Sequence, residues 1–264
     1  LDQAIAAYTE AVQHTPPDAP ALASHLNNLG NGQHALYLRT GHIEALEQAI
    51  AYYTQAIQQT PSDSPNGAGY LHNRGIGLSN RYERTEQLAD LNEAITAFQQ
   101  AFQQAAPATS TSSMYLNSLG GGLNLRYSRT AQLADLNEAI TAFQQAVEHA
   151  PPNGPDLPQY LNNWGNSLID RFTRTGQMAD LDQALTIYKQ AIDATQPESP
   201  NLARILNNLA EAHRIHYTQT SQTTDLEQAI ANYRAACRHG QPAAPEERVR
   251  SARNWSRWAF TRDA

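Results

Sequence analysis

The sequence predicts an all-α chain built from helix–turn–helix repeats with a period of 45 residues. Three observations support this: a motif that recurs at a fixed step, apolar residues spaced as on one helical face, and proline-rich segments at the same place in each repeat. The motif begins as "LDQAI" at Leu1, and variants of it begin at positions 46, 91, 136, 181 and 226.

We call the residues at one position of successive repeats a column. Alanine columns and an aromatic column mark the second helix of each repeat. Ala49, Tyr53 and Ala56 represent them in one copy, and their spacing places all three on one helical face. The aromatic column comprises Tyr8, Tyr53, Phe98, Phe143, Tyr188 and Tyr233. We predict that the second helices start near residues 1, 46, 91, 136, 181 and 226. Prolines follow their ends at Pro16, Pro61, Pro107, Pro151 and Pro197.

Four aspartates near these starts, each followed three residues later by Glu or Gln, resemble capping boxes. They are Asp90, Asp135, Asp180 and Asp225, and we read them as helix caps; one earlier copy has Ala45 instead.

The first helix of each repeat runs from near Pro20 to near Arg39 and at the equivalent positions. Its core columns are represented by Leu26, Gly30 and Tyr37. Glycine inside a helix costs about 1 kcal/mol relative to alanine, so its recurrence indicates a close approach to the second helix. A turn at Thr40 and its equivalents joins the two helices.

Composition narrows the possible functions. The 264 residues are 41% hydrophobic and 16% charged, which is typical of a folded chain, and the net charge of −7 argues against a general nucleic-acid binder. No apolar run approaches the roughly 20 residues of a membrane span, and no signal peptide opens the chain. We expect no membrane association and a cytoplasmic location.

The proline-rich stretches recur in register with the repeat, so we expect one solenoid over residues 1–264. A capping helix is predicted over about 245–262. Because the chain opens inside a repeat, we expect it to be a fragment of a longer protein.

The motifs "LNNLGN", "WGNSL" and "AITAFQQAF…AAP" resemble the tetratricopeptide repeat (TPR) across essentially the whole chain. The resemblance implies a right-handed superhelical solenoid of TPR-like repeats, here with a longer first helix. The 45-residue version, with "RYERTEQLADLNEAI" and "RYSRTAQLADLNEAI", resembles arrays that precede CHAT peptidase domains, and residues 244–260 resemble the helix that often follows such arrays. No peptidase domain is visible in this sequence.

Candidate chemistry is sparse, and we expect neither an enzyme nor a cofactor. Cys237 could be a nucleophile, but its column is otherwise apolar, which favours a core role. His213, His216 and His239 could suggest a metal site, yet no acidic partner recurs with them, so we expect no metal. A basic C-terminal segment is either a solvated helix or a docking surface; its arginines are Arg248, Arg250, Arg253 and Arg257.

Asparagines on the first helices are the best indication of function. One column holds Asn27, Asn117, Asn162 and Asn207, with His72 as the exception. The next holds Asn28, Asn73, Asn163 and Asn208, with Ser118 as the exception, and Asn31 and Asn166 lie one turn further along. Asparagine is a poor helix former, so its repetition needs a cause.

The resemblance implies that such asparagines line a groove and hold the backbone of an extended peptide, for which an amide offers both donors and an acceptor. The first column is expected to project away from the packed face into this groove. The alternative is that an asparagine of each pair ties the preceding loop to its own repeat, and for the second column both readings stay open.

The leading hypothesis is therefore a non-enzymatic interaction scaffold that binds a peptide or a partner domain. The alternative is a regulatory array that restrains an effector domain of the same polypeptide, such as a CHAT caspase-like peptidase.

Overall fold

The computed structural model describes residues 1–61, 64–106 and 108–239. Within these ranges the chain forms eleven helices and no strand, which confirms the all-α prediction. The helices are α1 Asp2–His14, α2 Ala21–Thr40, α3 Ile43–Gln58, α4 Gly67–Thr85, α5 Leu88–Gln104, α6 Ser110–Thr130, α7 Leu133–His149, α8 Leu157–Thr175, α9 Met178–Asp193, α10 Asn201–Thr220 and α11 Thr223–His239.

We call the first helix of each repeat helix A (α2, α4, α6, α8 and α10) and the second helix B (α1, α3, α5, α7, α9 and α11). The chain forms two compact units, one spanning Leu1–Asp135 and one that begins at Leu136. In the first unit α2 packs on α3 and α4 on α5; in the second, α8 packs on α9 and α10 on α11. The expected single solenoid over residues 1–264 stays a prediction.

The repeating columns form the core of both units. Leu46, Ala49 and Ala56 of α3 are fully buried, and Tyr53 is 2% exposed. A Cβ atom added to Gly30 would lie 2.6 Å from Cε1 of Tyr53, closer than van der Waals contact permits. Glycine at this position therefore lets helix A approach the aromatic ring of helix B closely, as the sequence predicted, and Ala210 packs on Tyr233 at the same position of α10.

The turn between helix A and helix B has the same construction in every described repeat. Helix A ends at a residue in the left-handed region, which is Gly41, Glu86, Ala131, Gly176 or Ser221. The preceding threonine supports the turn twice: Thr40 Oγ1 donates to the Leu36 carbonyl at 2.8 Å and accepts from the His42 amide at 3.3 Å. The same pair of bonds recurs at Thr85, Thr130, Thr175 and Thr220.

The capping interpretation of the four aspartates is wrong. Helix B begins three residues earlier than predicted, at Ile43, Leu88, Leu133, Met178 and Thr223 in five repeats. Asp90, Asp135, Asp180 and Asp225 are therefore the third residues of their helices, too far inside to cap them. The three extra residues, nearly one full turn, are helical because the threonine-supported turn is only two residues long.

Instead, three of the aspartates bind arginines that lie nine residues earlier on helix A, and the fourth, Asp225, binds a histidine at that position. Arg171 Nε and Nη2 donate to the two carboxylate oxygens of Asp180 at 2.9 and 2.6 Å. Arg81 binds Asp90, and Arg126 binds Asp135, with the same two-point geometry. These carboxylates are nearly buried, and the guanidinium groups cover them. The aspartate thus joins the two helices of a repeat.

Some predictions lie outside the described residues. They are the proline at position 107, the C-terminal helix over about 245–262 and its arginines Arg248, Arg250, Arg253 and Arg257.

Candidate functional site

The first asparagine column does not project into solvent as expected. Asn162 is fully buried, Asn207 is 3% and Asn27 is 9% exposed, and Asn117 is half-buried. The expectation of a free surface column is therefore wrong, and for Asn27 and Asn162 the helix A of the next repeat covers this side of the helix. Ligand binding by these residues stays a prediction.

Asparagines of the second column form hydrogen bonds with asparagines of the first column and cover them. Asn73 Nδ2 donates to Asn27 Oδ1 at 2.9 Å, and Asn208 Nδ2 donates to Asn162 Oδ1 at 2.8 Å. The bonded residues are 46 positions apart, so each bond joins one repeat to the next. The second column, including Asn28 and Asn163, remains half-exposed, so it offers more surface than the first.

The two exceptions in these columns form a matched pair. His72 Nε2 lies 2.9 Å from Ser118 Oγ, and these residues are also 46 positions apart. The imidazole packs between the Tyr115 and Phe98 rings, with centroid distances of 4.9 and 5.6 Å. Burial lowers the pKa of His72 to about 4, so it is neutral at physiological pH. The 46-residue offset of the exceptions is a signal in the sequence that reveals this contact.

The asparagines one turn further along are held by tyrosines of helix B. Tyr53 donates to Asn31 Oδ1 at 2.9 Å, and Tyr188 donates to Asn166 Oδ1 at 2.7 Å. Asn31 Oδ1 also accepts a hydrogen bond from Asn73 Nδ2 at 3.4 Å, and Asn166 Oδ1 accepts one from Asn208 Nδ2 at 3.1 Å. Where helix B carries phenylalanine at this position, helix A carries isoleucine or glycine instead of asparagine. This pairing of residue types was visible in the sequence but was not used to predict the contact.

Each of these networks fixes two neighbouring amides, which we call an amide pair: Asn31 with Asn73, and Asn166 with Asn208. In the second pair, the Asn166 Oδ1 and the Asn208 Nδ2 are occupied by the network. Asn166 Nδ2 and Asn208 Oδ1 make no hydrogen bond within the described part of the chain. An amide pair therefore presents one donor and one acceptor in fixed positions, which matches the carbonyl and N–H of a peptide unit.

The second amide pair lines a groove between two helices A of the second unit. This α8–α10 groove has a volume of about 380 Å³. It is lined by Asn166, Ile169, Asp170, Tyr188, Arg204, Asn208, Glu211 and Ala212. On α10, Arg204, Asn208 and Glu211 follow the i, i+4, i+7 spacing of one helical face.

The α8–α10 groove carries charges of both signs. Asp170 is exposed as a residue, but the surrounding groove removes part of its water and raises the pKa of its carboxyl group. Arg204 donates only to Asn201 Oδ1, at 3.3 Å, and forms no ion pair within the described residues. Glu211 is occupied by Arg214 and by the Tyr233 hydroxyl at 2.7 Å. Asp170 and Arg204 are therefore the charged side chains available to a ligand.

Similarity to solved structures establishes the fold. YrrB, whose structure is described as a TPR protein with an unusual peptide-binding site, is 18% identical and covers 94% of this chain and 98% of its own, with a TM-score of 0.56. TTC0263, a thermophilic TPR protein of Thermus thermophilus, is 18% identical and covers 87% and 97%, with a TM-score of 0.53. The chain has the fold of a TPR array. BtubC from P. vanneervenii is 15% identical and covers 96% and 89%, with a TM-score of 0.63.

No protein-family model and no curated protein matches this TPR array. The resemblance to arrays that precede CHAT peptidase domains therefore stays a prediction.

Of the remaining candidate residues of the TPR array, His213 and His216 make side-chain contacts between helices. Cys237 is half-buried in helix B. His213 and His216 both bind Asp225, and His239 is exposed at the end of α11. Among the residues that the structure describes, no group of three or more His, Cys, Asp or Glu side chains is arranged to hold a metal ion. No described helix is both long and apolar enough to cross a membrane.

Proposed function

We propose that the chain is a non-enzymatic protein-interaction scaffold that holds an extended segment of a partner protein in the α8–α10 groove. The observation that carries the proposal is the amide pair Asn166–Asn208, whose free donor and acceptor line the groove. In this proposal, the asparagines that contact the bound segment are Asn31, Asn73, Asn166 and Asn208. The buried asparagines of the first column hold them in position.

Electrostatics indicate how a bound segment would be oriented. Arg204 and Asp170 occupy positions of helix A that differ by 11 residues once the 45-residue repeat is subtracted. At a rise of about 1.5 Å per residue, the two charges are separated by roughly 16 Å along the helices, or about five residues of extended chain. A partner segment with an acidic group facing Arg204 and a basic group facing Asp170 would satisfy both.

Variation between repeats supports a binding role for this face. The alanine and aromatic columns of helix B keep the same residue types in each repeat, because packing of the helices requires the same shapes. The face formed by residues 159, 163, 166 and 170 of α8 is polar, whereas the equivalent residues 114, 118, 121 and 125 of α6 are methionine, serine, glycine and leucine. The contacts described above account for the changes at residues 163 and 166, because Ser118 pairs with His72 and Asn166 accepts from Tyr188. They do not account for the changes at residues 159 and 170, which recognition of one particular partner explains.

Peptide selection tests the proposal. Random 12-residue peptides displayed on phage are selected on the 264-residue chain, and the enriched peptides are measured against two variants. Arg204→Glu should weaken binding by about tenfold or more, since a lost charged hydrogen bond corresponds to at least that factor. The control is Gln190→Ala, an exposed change on helix B, which should change binding less than about twofold. Peptides that bind Arg204→Glu and the unchanged chain equally would place the binding surface elsewhere.

The regulatory alternative, in which the array restrains an attached effector such as a CHAT peptidase, remains part of the proposal. It is supported by the sequence resemblance alone, and a cytoplasmic location likewise stays a proposal. Reading the gene beyond codon 264 tests it, because an effector domain must be encoded there or before codon 1.

A further inference from the structure

The Arg–Asp contact that joins helix A to helix B changes its chemistry in the last described repeat. The first partner is Arg81, Arg126 or Arg171 in three repeats, and His216 in α10. The guanidinium group keeps its charge at every physiological pH, whereas histidine changes charge between about pH 5 and 8. Among the described repeats, a histidine replaces the arginine of this contact in one only.

Both ring nitrogens of His216 face carboxylates. Nδ1 lies 2.7 Å from Asp225 Oδ2 of α11, and Nε2 lies 3.2 Å from Asp182 Oδ1 of α9. A neutral imidazole has one N–H and one lone pair, so it can donate to only one of these acceptors and repels the other. The geometry satisfies both contacts only when both nitrogens carry protons.

Comparison with the preceding repeat shows what this contact replaces. Arg171 binds Asp180 of its own repeat and also donates Nη1 to Asn137 Oδ1 of the preceding helix B at 3.1 Å. Asp182 stands at the position of Asn137, one repeat later. The change from arginine to histidine is thus accompanied by a change from a neutral acceptor to a charged one.

The second histidine of the cluster has a different role. His213 Nδ1 lies 2.8 Å from Asp225 Oδ1, while its Nε2 is buried without a hydrogen-bond partner. Burial lowers the pKa of His213, and the Asp225 carboxylate only partly opposes this effect. His213 therefore donates as a neutral ring. Besides Asp182, Lys189 of α9 acts on this cluster, and its positive charge disfavours a charged His213.

We propose that His216 is a pH-dependent clamp, which holds α10 and α11 against α9 when its ring is protonated and releases them as the pH rises. The protonated ring joins three helices, and the neutral ring joins two and faces an unpaired carboxylate. Since α10 supplies Arg204 and Asn208, ligand affinity in the α8–α10 groove should follow the same pH dependence; that consequence alone rests on the proposed function.

Hydrogen exchange tests the clamp without a ligand. Amide protection in α10 and α11 of the 264-residue chain is measured at pH 5.5 and 8.0 and corrected for the intrinsic exchange rate. Protection should fall by about threefold to fivefold at the higher pH, because Asp182 is 61% exposed and water screens an exposed charge contact. His216→Arg restores the residue of the other repeats, and its protection should change less than about twofold.

Two further variants identify the responsible group. His213→Leu, the residue of the equivalent positions 78, 123 and 168, should retain the pH response, and so should His42→Gln, an exposed change in the first unit. Nitrogen NMR of the ring should show two protonated nitrogens on His216 at pH 5.5. The clamp is overturned by a single protonated nitrogen there, by equal pH responses of the unchanged chain and His216→Arg, or by loss of the response in His213→Leu.

Discussion

Replacing the Arg171–Asp180 contact by apolar residues should be far less harmful than breaking it. Arg171→Leu leaves a carboxylate that is 5% exposed without its partner, and an uncompensated buried charge costs about 3–5 kcal/mol. Asp180→Ala leaves a guanidinium group that is 24% exposed and can still reach water and Asn137, so we expect a loss of about 1–3 kcal/mol. The double variant leaves no charge unpaired, and we expect its stability to lie within about 1 kcal/mol of the unchanged chain.

The chain itself suggests this double replacement. Leu36 and Ala45 occupy the same two positions in an earlier repeat, where helix A and helix B pack without an ion pair. The assay is urea unfolding of the four proteins, followed by circular dichroism, with slopes as well as midpoints compared because repeat arrays need not unfold in two states. A double variant that loses as much as the two single variants combined would show that the two side chains are not coupled and refute this reasoning.

Two other substitutions test the core and the inter-repeat contacts. Phe143→Ala removes a ring that is 1% exposed and should cost about 3–5 kcal/mol by urea unfolding; a loss below about 1 kcal/mol would contradict a core role for the aromatic column. Asn162→Ala should lower the stability by about 1 kcal/mol, because it removes the acceptor of Asn208 Nδ2 while Asn166 still accepts from the same group. An unchanged or raised melting temperature for Asn162→Ala would instead support the original expectation of a surface role.

Period and column type were enough to predict the fold. A 45-residue step fixes which residues recur, and helical geometry converts the recurrence into a buried face, so Tyr53, Gly30 and their equivalents were assigned correctly. The aspartates were misread because a carboxylate followed by Glu or Gln is also typical of a helix start. The arginine nine residues earlier distinguishes the two cases, and it is absent together with the aspartate where Leu36 and Ala45 occur.

The asparagine columns show why a site is harder to predict than a fold. A polar residue that recurs once per repeat can face either solvent or the next repeat, and both give the same period. Only the partner distinguishes them: Asn162 has its partner 46 residues later, so it is buried. Which donor and acceptor of Asn166 and Asn208 stay free depends on which atom of each amide is hydrogen-bonded within the protein. The sequence does not show this, and the structure does.

The contact between His72 and Ser118 requires their two repeats to be neighbours in the array. A tandem duplication or deletion of 45 residues would keep every core column in phase and still separate an imidazole from the small hydroxyl that fits against it. Recombination between repeats is thereby restricted to exchanges that move both members of a pair or neither. The repeats have similar cores but are not interchangeable. A side chain of one repeat fits only the matching side chain of the repeat next to it.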